Sequence, residues 1–281
     1  MATKSPASSR LRLAALPLAL AALTGCAGAG AERSANDLLS AAKDPIFIPE
    51  AQEVAMGLET AASALKQYPL HPAKGLQDYV SGVGRRLAAA SDRPGLAYTF
   101  TVVDSPQVNA FACPGGPVFI TTGILRKLKD EAELAAVLGH EVGHVVRQHG
   151  LRRMQRAMVA QLGLGLLQGT MGDKSGFLKL AGPFAANLLL LRNGREAELE
   201  SDEQGLQNAS RIGYDPSAMV GVQEMLMAQG AGGQGLFAEV FASHPPSEAR
   251  IAQARALLPR FAGPSERGAA AYKKAVLDRL L

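Results

Sequence analysis

The chain has 281 residues, 47% of them hydrophobic, enough to bury one substantial core, and its pI is near 9.1. Three of the 29 basic residues, Lys4, Arg10 and Arg12, and none of the 25 acids fall within residues 1–25. The remainder is therefore close to neutral, which argues against a polyanion-binding surface and a nucleic-acid partner.

Residues 1–25 read as a signal peptide: a basic leader, then an apolar run from Leu11 to Leu23 broken only by Arg12 and Pro17. That run is shorter than the roughly 20 residues a spanning helix needs. It ends in "LTGC", Leu23 to Cys26, which resembles a bacterial lipobox. The resemblance implies cleavage before Cys26, lipidation of that cysteine and membrane anchoring through its acyl chains. Ala27, where an inner-membrane retention signal would place aspartate, favours the outer membrane. Residues 26–45 then read as the lipidated cysteine and a flexible tether. Cys113, the other cysteine, reads as a small buried residue rather than a nucleophile.

Apolar residues recur at helical spacing between Pro49 and Tyr68 and again from Leu76 to Leu87. "AYTFTVVD", Ala97 to Asp104, is β-branched and aromatic, as strands are. A turn-rich segment, Asn109 to Gly123, leads into a second strand, Val118 to Thr122. Pro117 at its start suggests an edge strand. The segment Gly116, Val118, Phe119, Ile120 and Thr121 would then bind extended polypeptide by strand addition.

"KDEAELAAVLGHEVGHVVRQHG" predicts a helix with Asp130 as N-cap, Glu133 three residues later and Gly150 as the stop. His140 and His144 lie one turn apart and share a face. Two imidazoles at that spacing grip one metal, and Glu141 beside them suits a general base: the H-E-x-x-H arrangement of zinc peptidases. Catalytic zinc needs a third protein ligand. "REAELESDEQG" supplies Glu198 and Asp202, again four apart on a predicted helix. The spacing suits Glu198 as the third ligand and Asp202 as hydrogen-bond partner of His140. Glu196, Glu200 and Glu203 read as a solvated acidic face. His149, five residues past His144, reads as a helix-end histidine near the negative dipole end. His71 lies in a loop between prolines. Two apolar stretches, Met158 to Met171 and Phe177 to Leu191, read as core or groove-lining helices.

"NAFACPGGPVFITTGIL", "EAELAAVLGHEVGHVVRQHG", "REAELESD" and "SHPPSEARI" occur in that order. Together they resemble the gluzincin metallopeptidases of peptidase family 48, which include the HtpX, Oma and CAAX proteases. Within the family, the chain resembles the periplasmic BepA- and LoiP-like lipoprotein branch. The resemblance covers roughly Pro49 to Leu258 and agrees with Glu198 as the metal-binding glutamate. Ser201 stands where the family commonly has alanine. The resemblance further implies that His244 is a fourth, displaceable ligand keeping the resting enzyme latent, and that Arg250 or His244 stabilises the oxyanion.

The reading is therefore a predominantly helical α+β fold of zincin type, with a small sheet beside the active-site helix. The metalloprotease domain is expected over 46–263, followed by a C-terminal helical tail over 264–281. Its expected activity is that of a zinc endopeptidase with one Zn2+ per chain, anchored in the periplasm at the outer membrane. It would cleave unfolded or misassembled envelope proteins as quality control, alongside the envelope assembly machinery. The alternative is a chaperone or assembly factor whose zinc site stays latent or largely closed.

Overall fold

The computed structural model describes residues 48–162, 193–229, 235–261 and 265–280. The signal segment, Cys26, the tether and nearly all of the two apolar stretches lie outside those residues. Two helices come first, α1 (Glu50–Gln67) and α2 (Lys74–Ala89), followed by three strands: β1 (Thr99–Val103), β2 (Ala110–Ala112) and β3 (Pro117–Thr121). Then come α3 (Thr122–Leu125), α4 (Glu131–Val146), α5 (His149–Leu162), α6 (Arg195–Arg211), α7 (Ser217–Met227), α8 (Ala238–Ser243) and α9 (Glu248–Leu257). A last helix, α10 (Ala269–Tyr272), continues through a π-helical turn to Leu280. The expected helix-rich α+β fold with a small sheet is what the chain forms. Among the described residues no helix is long and apolar enough to cross a membrane.

The sheet order is β1-β3-β2, with β1 parallel and β2 antiparallel to β3. This corrects the edge-strand reading. Val118 to Ile120 are paired on both sides, and all five residues of β3 are buried. Gly116, Val118, Phe119, Ile120 and Thr121 therefore have no open edge to offer a peptide. Pro117 opens the strand as its first residue, a position that tolerates a missing N–H without making the strand an edge. Alternation along the strands divides the core. Val118, Ile120, Phe100 and Val102 join the large cluster with α2 and α4, while Phe119, Phe111 and Val103 pack with Ala64 and Tyr68 on the α1 side.

Helix α4 is buried around its whole circumference, mostly apolar apart from Glu133, His140, Glu141 and His144, with every residue from Ala132 to Val145 buried. Asp130 caps it as expected, its carboxylate accepting from the Glu133 N–H at 2.8 Å. It stops four residues earlier than Gly150 suggested. Gln148 adopts φ 55°, donates its N–H to the Val145 carbonyl and starts the chain back into α5. The C-terminal helix belongs to the same core, where Tyr272 and Val276 are fully buried and the Tyr272 hydroxyl donates to the Leu125 carbonyl at 2.6 Å.

Candidate metal centre

Helices α4 and α6 cross at a point where neither has room for a side chain. A Cβ on Gly139 would lie 3.2 Å from the Gly205 backbone, and one on Gly143 would lie 3.0 Å from that of Ser201. This close approach brings Glu198 and Asp202 of α6 against His140 and His144 of α4. His140, Glu141, His144, Glu198, Asp202, His244 and Arg250 are all buried.

One donor atom from each of His140, His144, Glu198 and His244 lies within 4.8 Å of all the others. The separations are 3.0 Å for His140 Nε2 to His144 Nε2, 3.4 Å for His140 Nε2 to Glu198 Oε2, and 3.3 Å for His144 Nε2 to Glu198 Oε1. His244 Nδ1 is 3.3 Å from His140 Nε2 and 3.2 Å from Glu198 Oε1. A tetrahedral ion with bonds of about 2.0–2.1 Å separates its ligand atoms by about 3.3 Å. With Glu198 Oε1 as the carboxylate donor, four edges of the set are 3.0–3.3 Å, and a three-imidazole, one-carboxylate set suits zinc. The residues fit one Zn2+.

Charge in the site points the same way. Burial would raise Glu198, yet the His244, His140 and His144 imidazoles hold it well below the ordinary carboxylate range. Burial also opposes ionisation of Asp202, but the Arg250 guanidinium outweighs it and keeps that carboxyl low. Two carboxylates held ionised beside one guanidinium leave room for a cation. Without a metal a proton on His140 takes that place: burial would lower this imidazole, but the hydrogen bonds to Asp202 and Glu198 push it up to about 10, and a bound cation would displace that proton. Burial holds His144 well below its ordinary value. Asp202 Oδ1 is 2.8 Å from His140 Nδ1, so with a metal bound the remaining proton would sit on Nδ1 and the Nε2 lone pair would face the donor set.

Comparison with known proteins gives the family. Residues 75–258 match the model of peptidase family M48.

The chain belongs to peptidase family M48.

The beta-barrel assembly-enhancing protease of Yersinia pestis is 32% identical over 250 residues, 83% of this chain and 50% of that protein. The Escherichia coli protein of the same name is 30% identical over 73% of this chain and 43% of its own length. The mitochondrial metalloendopeptidase OMA1 of Arabidopsis thaliana is 35% identical over 60% of this chain and 34% of its own. This M48 chain thus spans about half or less of the length of the curated relatives it matches.

Two further sequence readings change within the M48 site. Arg250, expected as an oxyanion donor, has three of its nitrogens on carboxylates. Its Nε and Nη2 donate to the two oxygens of Asp202, each at 2.7 Å, and its Nη1 donates to Glu198 Oε2 at 2.8 Å. Glu200 is not simply solvated, because its Oε2 lies 3.0 Å from His149 Nε2. His149 itself is buried at the start of α5, with Nδ1 2.9 Å from His144 Nδ1. Burial lowers its pKa. Asn193 was not singled out from the sequence, yet its amide nitrogen lies 3.3 Å from His144 Nε2 and 3.4 Å from His244 Nδ1. Nothing in its local pattern signals this, since an asparagine before a helix ordinarily reads as a cap. Cys113 is buried, and burial pushes its thiol up, as a structural residue requires.

Proposed function

We propose that this M48 chain is a zinc endopeptidase of the bacterial cell envelope that cleaves unfolded or misassembled envelope proteins and rests with His244 across its active site. The observation that carries the reading is the placement of His244 and Glu141. His244 Nδ1 completes the donor set, while its Nε2 lies 3.6 Å from Glu141 Oε1. The other Glu141 oxygen is buried without a hydrogen-bond partner among the described residues. A purely structural metal site has no use for a buried carboxylate there.

His140, His144 and Glu198 would hold the zinc, which when bound supplies Lewis acidity toward a water and the scissile carbonyl. Glu141 then takes the proton of the attacking water and delivers it to the departing amine. Asp202 holds the His140 tautomer, and Arg250 neutralises and positions both carboxylates of α6. With His244 in place, its ring occupies the space between the donor set and Glu141 where a water would be activated. Withdrawal of His244 is therefore the opening step.

The substrate edge belongs to β2 rather than β3. Thr121 N–H bonds to Asn109 O and Cys113 N–H to Pro117 O, so Asn109, Phe111 and Cys113 direct their backbone groups at β3. Ala110 and Ala112, between them, direct theirs to the open edge. That edge lies beside the cleft formed by Phe111, Ala112, Glu141, His144 and His244. An extended peptide pairing there, as an unfolded chain can, lies alongside the base.

The test is cleavage of unfolded casein by wild type, Glu141→Gln and His244→Ala at matched zinc content. The expected order is His244→Ala above wild type, with Glu141→Gln lower by two or more orders of magnitude. Equal rates for wild type and Glu141→Gln would reject the endopeptidase. The closed position of His244 also favours a second reading, an assembly factor with a latent zinc site. Holdase activity without cleavage, even in His244→Ala, would select it. The export signal and lipidation at Cys26 belong to the same proposal. Cys26→Ser should abolish metabolic labelling with palmitate, and labelling that persists rejects the anchor.

A further inference from the structure

His144 is the donor whose second nitrogen faces no carboxylate. Its Nε2 is turned into the donor set, so its Nδ1 carries the proton. That proton meets His149 Nδ1 at 2.9 Å, the two rings standing edge to face with centroids 5.0 Å apart. Because His149 accepts at Nδ1, its own proton lies on Nε2, where Glu200 Oε2 receives it at 3.0 Å. The Ser201 hydroxyl, 3.2 Å away, shares the His149 Nδ1 lone pair. Only one arrangement of protons satisfies every partner in this row. Reversing it would place a proton on His144 Nε2, pointing at the ion, and remove the ligand.

We propose that His149 and Glu200 form a two-residue relay that fixes the metal-binding tautomer of His144, as Asp202 does directly for His140. This rests on the zinc reading of the site and adds two positioning residues to it. The relay ends at the surface: His149 has a 5% exposed side chain and Glu200 a 39% exposed one. The geometry explains why an imidazole is needed between them. Glu200 follows Glu198 by two residues, so it projects from α6 well away from the ligand carboxylate. It reaches His144 only through a ring with nitrogens on opposite sides. The turn at Gln148 delivers that ring.

The experiment measures zinc affinity by chelator competition and records the visible spectrum of the cobalt-substituted protein, alongside circular dichroism of the metal-free form. His149→Phe keeps a ring in place and removes both nitrogens. Its zinc dissociation constant should rise about ten- to a hundredfold, with a shifted cobalt spectrum and an unchanged metal-free fold. Glu200→Ala should weaken zinc in the same direction. Glu200→Gln, which retains an acceptor oxygen, should restore affinity close to wild type. Wild-type affinity in both His149→Phe and Glu200→Ala would overturn the relay and leave His149 as packing. Should His149→Phe fail to fold, the two variants at the partly exposed Glu200 decide alone. A wild-type chain that binds no zinc rejects the site reading and the relay together, a result distinct from tight binding in every variant.

Discussion

Arg250 donates to Asp202 through two nitrogens and to Glu198 through a third, and its side chain is only 3% exposed. A guanidinium enclosed in this way clamps the two carboxylates it holds. Its removal would leave two buried anions without their counter-ion, a loss of about 3–5 kcal/mol of folding stability for a buried pair broken on one side. Arg250→Ala should show that loss in urea unfolding of the chelator-treated protein. Arg250→Lys should fall between, because an ammonium keeps the charge and forfeits the planar fork. If Arg250 were instead a donor to the oxyanion, Arg250→Ala would lower kcat while leaving the unfolding midpoint where it was. The two outcomes separate cleanly, and unchanged stability would defeat the clamp.

Between helices, the site depends on glycines as much as on ligands. Gly139 and Gly143 on α4 meet Ser201 and Gly205 on α6, a small residue every fourth position on each helix. A Cβ on Gly205 would approach the His140 backbone nitrogen to 3.0 Å and the Met219 methyl to 2.7 Å. Gly205→Val must therefore push α6 away, moving Glu198 and Asp202 with it. The expected result is loss of zinc binding by at least tenfold together with a lower thermal midpoint. Gly82 of α2 has open space around it, so Gly82→Ala should stabilise by about 0.5–1 kcal/mol and leave zinc affinity alone. Equal zinc affinity in both variants would refute the helix-approach argument. Three of the ligands and the partner of one were legible from sequence because i, i+4 pairing is a local rule: His140 with His144, and the ligand Glu198 with Asp202. Strand order was not legible, because the parallel pairing of β1 with β3 skips over β2 and depends on contacts far apart in the chain. The position of His149 was hidden for a related reason. Continuing α4 by periodicity turns it away from His144, whereas the left-handed Gln148 breaks the helix and brings it underneath.

Across the whole molecule, Glu131 ties the first turn of the active-site helix to two parts of the chain that carry no catalytic residue. Standing in the first turn of α4, it accepts from Tyr79 and Arg86 of α2 and from Tyr214 after α6. Its side chain is 14% exposed, unlike the Lys74–Asp78 pair, which is open to water on both sides and contributes little. Burial alone would raise the Glu131 pKa; Tyr214, Tyr79 and Arg86 outweigh it and lower it. A carboxyl whose folded pKa lies below its unfolded one stabilises the fold fully above the unfolded value, about 4.3 for glutamate, and loses that contribution as pH falls through the folded value. Wild type should therefore unfold at a higher temperature than Glu131→Gln from pH 7 down to about pH 5, and the gap should close below about pH 4. Thermal unfolding of both proteins in chelator, at pH 7, 5 and 3, isolates this from acid-driven release of the metal. A gap that stays constant to pH 3 would mean the Glu131 charge contributes nothing and that the tyrosines and Arg86 hold the three helical parts by packing alone.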